Sequence, residues 1–206
     1  MATDPRLRRG LRVLRSTPWL PVAGASAVGG ALLLTAAATP TAGYAMFIVV
    51  IGLATCGSAA GYLLDEESSA VLDATPTSRS RRTGWRLMAL VLPAGVALTG
   101  LALLDRADGT GQWEWQKLGP LAAGSLATAT ALAAVLRRGN SAPGDVAAAV
   151  TLTGVLLVVA SNPLRHWVSV VPSHDAGVGR SALLWASVVL AAAVVVVRCS
   201  RDPVRT

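Results

Sequence analysis

The side chains that could do chemistry stand in two polar stretches between apolar segments. One stretch holds Trp113-Glu114-Trp115, and the other holds His166, His174 and Asp175. Two His and one Asp could bind zinc, but their spacing fits no strong zinc motif. Paired Trp next to an apolar segment is typical of an interfacial belt, with a ligand-gripping aromatic pair as the alternative. No nucleophile is distinguished by a neighbouring base, so we expect no catalytic residue and no metal site.

The apolar segments themselves carry no Asp, Glu, Lys, Arg or His. Proton-coupled carriers need such a group at depth, because it is the group that binds the proton. The chain also has no phosphate-binding loop of the G-x-x-x-x-G-K-[ST] type. We therefore expect a chain that is not an enzyme and binds no cofactor directly.

Composition indicates a membrane protein. The chain has 206 residues, of which 53% are hydrophobic and 14% charged, whereas a soluble domain carries about 25% charged residues. A net charge of +7 could indicate a nucleic-acid partner, but the basic residues stand beside apolar segments and form no continuous face. We expect no nucleic-acid binding. Cys56 and Cys199 fall in or next to apolar segments, so no structural disulfide is expected.

The apolar pattern predicts a single all-α domain, 1–206, with six transmembrane helices. No charged residue occurs from Ser16 to Leu64, a run of 49, and about 20 residues suffice for one crossing. This run must therefore hold two spans, separated at 39–43. Each span must be helical, because lipid cannot satisfy an open backbone. The predicted spans are 18–38, 44–64, 87–104, 118–136, 146–164 and 181–197.

The polar gaps between the apolar segments are alternately rich and poor in basic residues. Of the 18 basic residues, 14 lie in the stretches 6–15, 79–86, 137–138 and 198–205. The remaining four are Arg106, Lys117, Arg165 and Arg180. Cytoplasmic loops retain Lys and Arg, so both termini are predicted in the cytoplasm. The dominance of Arg over Lys and the abundance of Ala suggest a GC-rich bacterial genome, and hence the bacterial cytoplasmic membrane.

The first 17 residues form a basic cytoplasmic segment. Leu7, Leu11 and Leu14 recur at helical spacing between arginines, which favours an amphipathic helix on the membrane surface; a basic leader without structure is the alternative. Arg8-Arg9-Gly10-Leu11 resembles a twin-arginine signal. A second full span follows the first closely, so we expect no cleavage.

The gap 65–86 between spans two and three is the most organised polar stretch. Its acids, at 65–67, come first, where a helix N-terminus favours negative charge. Val71 and Leu72 give the next turn an apolar side, and Pro76 ends the helix. Arginines from Arg79 onward would anchor span three at the lipid surface. The pattern predicts a short cytoplasmic helix, a turn and a basic anchor.

This stretch resembles the membrane subunit of a type-2 ABC exporter, a bacterial permease family. The resemblance covers about residues 64–86, and the matching positions are Glu66, Glu67, Leu72, Thr75, Pro76, Ser78 and Arg79. Ser69-Ala70 replaces the usual Gly-Thr, and the outer segment 165–180 is shorter than is common in the family. The resemblance implies a coupling helix that docks on a cytoplasmic ATPase. The implied coupling residues are Asp65, Glu66, Glu67, Val71, Leu72, Thr75, Pro76, Ser78 and Arg79.

The resemblance further implies a half-transporter. It would pair with a second permease subunit, identical or different, and with an ABC ATPase subunit that holds ATP-Mg; membrane lipids surround it. An apolar lining suits a hydrophobic or amphipathic cargo. A non-transport scaffold, immunity or assembly protein is the alternative, and a secondary carrier is the third possibility.

The second span carries a face of small residues. Gly57 and Gly61 form a G-x-x-x-G pair, with Ala54 one turn earlier. Such a face permits close helix approach. It could serve as a dimer seam, although packing within the subunit is the favoured interpretation.

Overall fold

The structure is a computed structural model that describes residues 14, 16–39, 44–65, 79–108, 115–139, 142–161, 170–171 and 177–200. Within these ranges the chain is helical and contains no strand. Six of the helices are long and apolar enough to cross a membrane. The predicted all-α class and the predicted number of spanning helices are therefore confirmed for the described part of the chain.

The helices are numbered α1 to α6 in chain order. α1 is Trp19–Ala38, α2 is Ala45–Leu64, α4 is Trp115–Leu136, α5 is Gly144–Ser161 and α6 is Val178–Ser200. The last residues of α2, Ala60–Leu64, are 3-10 helical. α3 consists of Arg79–Leu87, a 3-10 turn Met88–Leu90, and Val91–Asp108.

The third helix begins earlier than the sequence pattern predicts. The expected span starts at 87, but the helix starts at Arg79. Arg82, Thr83 and Arg86 share one helix face and are buried, because positions three and four apart lie on the same side of a helix. The arginines expected to form a loop anchor are therefore the opening turns of α3.

The 3-10 turn in α3 precedes a proline. Pro93 has no backbone N–H, so it cannot donate to the carbonyl of Ala89, four residues earlier. Tightening to i→i+3 bonds is a common way to accommodate such a loss. The turn joins the polar start of α3 to its apolar length.

The core is arranged around α2, the most enclosed of the six helices. α2 packs against α1, α3, α4 and α5, while α6 packs mainly against α4 and is the least enclosed. Buried Leu, Val and Ala side chains fill these contacts. Because lipid is as apolar as the core, close packing rather than water exclusion stabilises such a bundle.

Both glycines of the small-residue face on α2 lie at contacts within the chain. A Cβ on Gly57 would lie 2.5 Å from Ser125 Cβ on α4, and one on Gly61 would lie 3.2 Å from Ala147 Cβ on α5. Ala54 is fully buried. The face therefore lets α4 and α5 approach the backbone of α2 closely.

A short stretch near one end of the bundle, Val170 and Val171, is described apart from the helices. Val170 is buried, and its carbonyl accepts hydrogen bonds from Ser181 Oγ and Trp185 Nε1, each at 3.1 Å. The segment between α5 and α6 thus touches the core at this point. The His166, His174 and Asp175 side chains and the Trp113-Glu114-Trp115 group lie outside the residues whose side chains are described.

Candidate functional site

Six helix ends meet at one end of the bundle, which we call the basic end. It comprises the starts of α1, α3 and α5 and the ends of α2, α4 and α6. Contacts that join them include Arg86 with Ser16 and Asp65, and Arg138 Nη2 with the Arg198 carbonyl at 3.2 Å. The described arginines of the Arg-rich stretches therefore lie together at this end, as the alternation along the sequence requires.

A buried polar cluster closes the basic end, and we call it the basic-end cluster. Its members are Ser16, Asp65, Thr83, Arg86, Arg137 and Gly144. Arg86 is its centre and is fully buried. The Arg86 Nη1 donates to the backbone carbonyl of Asp65 at 2.6 Å, and Nη2 lies 3.5 Å from Ser16 Oγ. One guanidinium thus connects the starts of α1 and α3 to the end of α2.

The Asp65 carboxylate connects α2 to α5. Its Oδ1 accepts a hydrogen bond from the Gly144 backbone N–H at 2.6 Å. Gly144 is the first residue of α5, where backbone N–H groups have no partner within the helix and the helix dipole favours negative charge. Asp65 therefore caps α5 from a different helix.

Glycine is required at 144 by the closeness of this contact. A Cβ there would lie 2.5 Å from Tyr62 Cδ1 and 2.9 Å from Asp65 Cγ. The Tyr62 hydroxyl also hydrogen-bonds the side chain of Asp145. The end of α2 and the start of α5 are thus held by two polar contacts and a tight backbone approach.

Arg137 extends the cluster to α4. It is buried at 8% exposure, and its Nη1 donates to Thr83 Oγ1 on α3 at 3.2 Å. Together these contacts tie the ends of five helices, α1 to α5. Such buried, charge-assisted hydrogen bonds are stronger than neutral ones and fix orientation.

The sequence-predicted coupling residues divide into two groups. Asp65 and the backbone of Arg79 are described, whereas Glu66, Glu67, Val71, Leu72, Thr75, Pro76 and Ser78 lie outside the described residues. Asp65 is only 8% exposed, and its side chain is engaged with α5. The coupling role of all nine residues stays a prediction.

Sequence reasoning missed most of the basic-end cluster. The sequence pattern predicts Arg86 and Arg137 as border residues of apolar runs, and it marks nothing at Thr83. A signal was present: Arg79, Arg82, Thr83 and Arg86 follow the i, i+3, i+4, i+7 spacing of one helix face. That spacing predicts a helix with one polar face, and the structure shows that Arg82, Thr83 and Arg86 on this face are buried.

The role of the basic-end cluster is to hold helix ends together. Among the described residues, no group of three or more His, Cys, Asp or Glu side chains could hold a metal ion. Hydrogen bonds and helix capping instead connect the ends of helices α1 to α5. The residues on either side of the segment 66–78 belong to elements of this cluster. Asp65 precedes the segment, and α3, which carries Thr83 and Arg86, follows it.

The chain is a multi-pass helical membrane protein, by the length and apolarity of its six helices. No protein family, curated protein or solved structure matches it. Its resemblance to ABC exporter permeases stays a prediction from residues 64–86.

Proposed function

We propose that this chain is the membrane-spanning permease subunit of an ATP-driven ABC exporter. Its cargo would be hydrophobic or amphipathic, and ATP hydrolysis would take place on a separate ATPase subunit. A second permease subunit would complete the transporter. The proposed location is a bacterial cytoplasmic membrane, with both termini and the basic end in the cytoplasm.

The observation that carries this proposal is that Asp65, which precedes the segment 66–78, is hydrogen-bonded to other helix ends. Asp65 accepts a hydrogen bond from Arg86 through its carbonyl and caps α5 through its carboxylate. Arg86 also reaches Ser16 at the start of α1. A displacement of the segment by a bound ATPase would therefore be transmitted to α1, α2, α3 and α5 together. A coupling element needs such a connection.

The charge distribution supports the proposed orientation. Cytoplasmic ends retain arginine, and anionic headgroups attract juxtamembrane arginines by about 1 kcal/mol each. The basic end gathers the described arginines at the start of α3, directly after α4 and at the end of α6. An ATPase partner would then lie on the same side as the segment 66–78.

The test is purification of the tagged chain from native membranes in mild detergent, with partners identified by mass spectrometry. We expect a stoichiometric ABC ATPase that is lost from the Glu66→Ala/Leu72→Ala variant. The control is Arg138→Ala, at the same end of the bundle but outside the segment 66–78, which should retain the partner. Recovery of wild-type chain alone would refute the permease function and favour the scaffold, immunity or assembly alternative.

A further inference from the structure

A groove runs along the outer surface of the bundle between α1 and α3. Its volume is about 680 Å³, and its walls are almost entirely apolar. From α1 it is lined by Trp19, Gly30 and Leu34, and from α3 by residues that include Met88, Gly95 and Leu103. Three glycines line the groove, Gly30, Gly95 and Gly100, and none of them contributes a side chain to its walls.

The length of the groove fits an extended acyl chain. Fifteen residues separate its first and last lining positions on α3, Met88 and Leu103, which is about 22 Å at the helical rise of 1.5 Å per residue. One leaflet contributes about 15 Å of hydrocarbon. The groove is therefore long enough to hold a lipid tail that spans the hydrocarbon of one leaflet.

The exposed face of α3 continues from the groove to a positive charge. Arg81, Gly84, Met88 and Val91 are exposed at steps of three or four residues, so they follow one side of the helix. Arg82 and Arg86 turn into the bundle and are buried. Arg81 thus stands beyond the Met88 end of the groove, at the basic end.

The opposite end of the groove is not comparably positive. Arg106 follows Leu103 on α3 by one turn, but it is flanked by Asp105 and Asp108 in the sequence. The opening turns Arg79–Leu87, by contrast, have no acid in the first turn and several arginines. Charge complementarity therefore places an anionic headgroup at the Arg81 end.

We propose that this groove is a binding site for an anionic phospholipid. One acyl chain lies between α1 and α3, and the phosphate lies beside Arg81. Trp19, at the start of α1, lines the same end of the groove, where an indole suits the boundary between tails and headgroups. This site goes beyond the proposed transport function and needs no ATPase partner.

The apolar half of the site is tested by filling the groove. A Cβ on Gly95 meets nothing within 4 Å, so Gly95→Leu should occupy the groove without disturbing helix packing. Gly154→Leu is the matched control, because Gly154 on α5 is equally open and lies outside the groove. Native mass spectrometry of detergent-purified protein titrated with dioleoyl phosphatidylglycerol should show about tenfold weaker binding for Gly95→Leu only.

The polar half is tested by removing one charge at each end. With dioleoyl phosphatidylglycerol and dioleoyl phosphatidylcholine compared at equal concentration, wild-type protein should prefer the anionic lipid. Arg81→Gln should reduce that preference about fivefold, while Arg106→Gln should leave it unchanged.

Three results would overturn the proposal. The first is equal binding of both lipids to wild-type protein. The second is loss of the preference in Arg106→Gln rather than Arg81→Gln. The third is a change from dimer to monomer in Gly95→Leu without any change in lipid binding, which would assign the groove to a second copy of the chain.

Discussion

At the residue scale, Arg86 is the side chain on which the basic end depends most. A buried guanidinium is costly unless its donors are satisfied, and Arg86 is fully enclosed. Its hydrogen bond to the Asp65 carbonyl is short and charge-assisted. The carbonyl belongs to the turn that leaves α2, so Arg86 also fixes the direction in which the chain departs toward residue 66.

Replacing Arg86 should therefore destabilise the protein more than replacing an exposed arginine. Arg86→Ala leaves the Asp65 carbonyl without this donor and removes a buried side chain, which should lower the melting temperature in detergent by about 3–10 °C. Arg138→Ala is the control, since Arg138 is exposed and bonds a single carbonyl. Equal melting temperatures for both variants, measured by fluorescence-detected size exclusion after heating, would contradict a central role for Arg86.

At the element scale, the start of α5 depends on a contact with another helix. Asp65 caps the helix through the Gly144 N–H, and the cap forms only because residue 144 has no Cβ. Gly144→Ala should push Asp65 and Tyr62 away and weaken the cap, by about 0.5–2 kcal/mol for the lost cap alone. Gly139→Ala, nearby in open space, should leave thermal stability unchanged. A Gly144→Ala protein as stable as wild type would show that the cap contributes nothing.

The contact between α2 and α4 can be tested by exchanging which of its two residues, Gly57 or Ser125, carries a side chain. Gly57→Ala should lower the melting temperature, because its Cβ would meet Ser125 Cβ at 2.5 Å. Ser125→Gly in the same chain removes that side chain and should restore part of the loss, as residues in direct contact are energetically coupled. Additive losses in the double variant would show that the two residues do not share this contact.

The elements were predictable where hydrophobicity decides them, and less so where polar side chains turn inward. The uncharged run Ser16–Leu64 required two spans, and α1 and α2 occupy it. The start of α3 was missed because arginine reads as exposed when each residue is taken singly. Arg86 is instead buried by partners from α1 and α2 that lie 70 and 21 residues away. Such partners become visible only after the helices are packed.

The sequence predicted the ingredients of the candidate site more fully than its geometry. Asp65 was singled out as an acidic residue after the second span, and the structure adds that its carboxylate serves α5. The partner, Gly144, carries no chemistry that a sequence pattern would mark. Its role follows from the absence of a side chain at a crossing point, which depends on the packed bundle.

At the scale of the whole molecule, the side of the membrane that the basic end faces decides whether an ATPase can reach the segment 66–78. If this end faces the cytoplasm, the segment 66–78 is accessible to an ATPase, and Arg81 faces the anionic leaflet. If it faces outward, an ATPase cannot reach the segment 66–78, whereas the lipid groove keeps its shape and its charge. The orientation therefore tests the permease proposal separately from the lipid-binding proposal.

Cysteine labelling in intact cells measures that orientation. Gly139 and Gly179 lie in open space at opposite ends of the bundle, and both are exposed, so Gly139→Cys and Gly179→Cys form a matched pair. The background carries Cys199→Ser, and Cys56 is buried and stays in place. A membrane-impermeant maleimide should label Gly179→Cys in intact cells and Gly139→Cys only after lysis, because arginine-rich ends stay in the cytoplasm. The reverse pattern would place the basic end outside, and an ATPase could then not reach the segment 66–78.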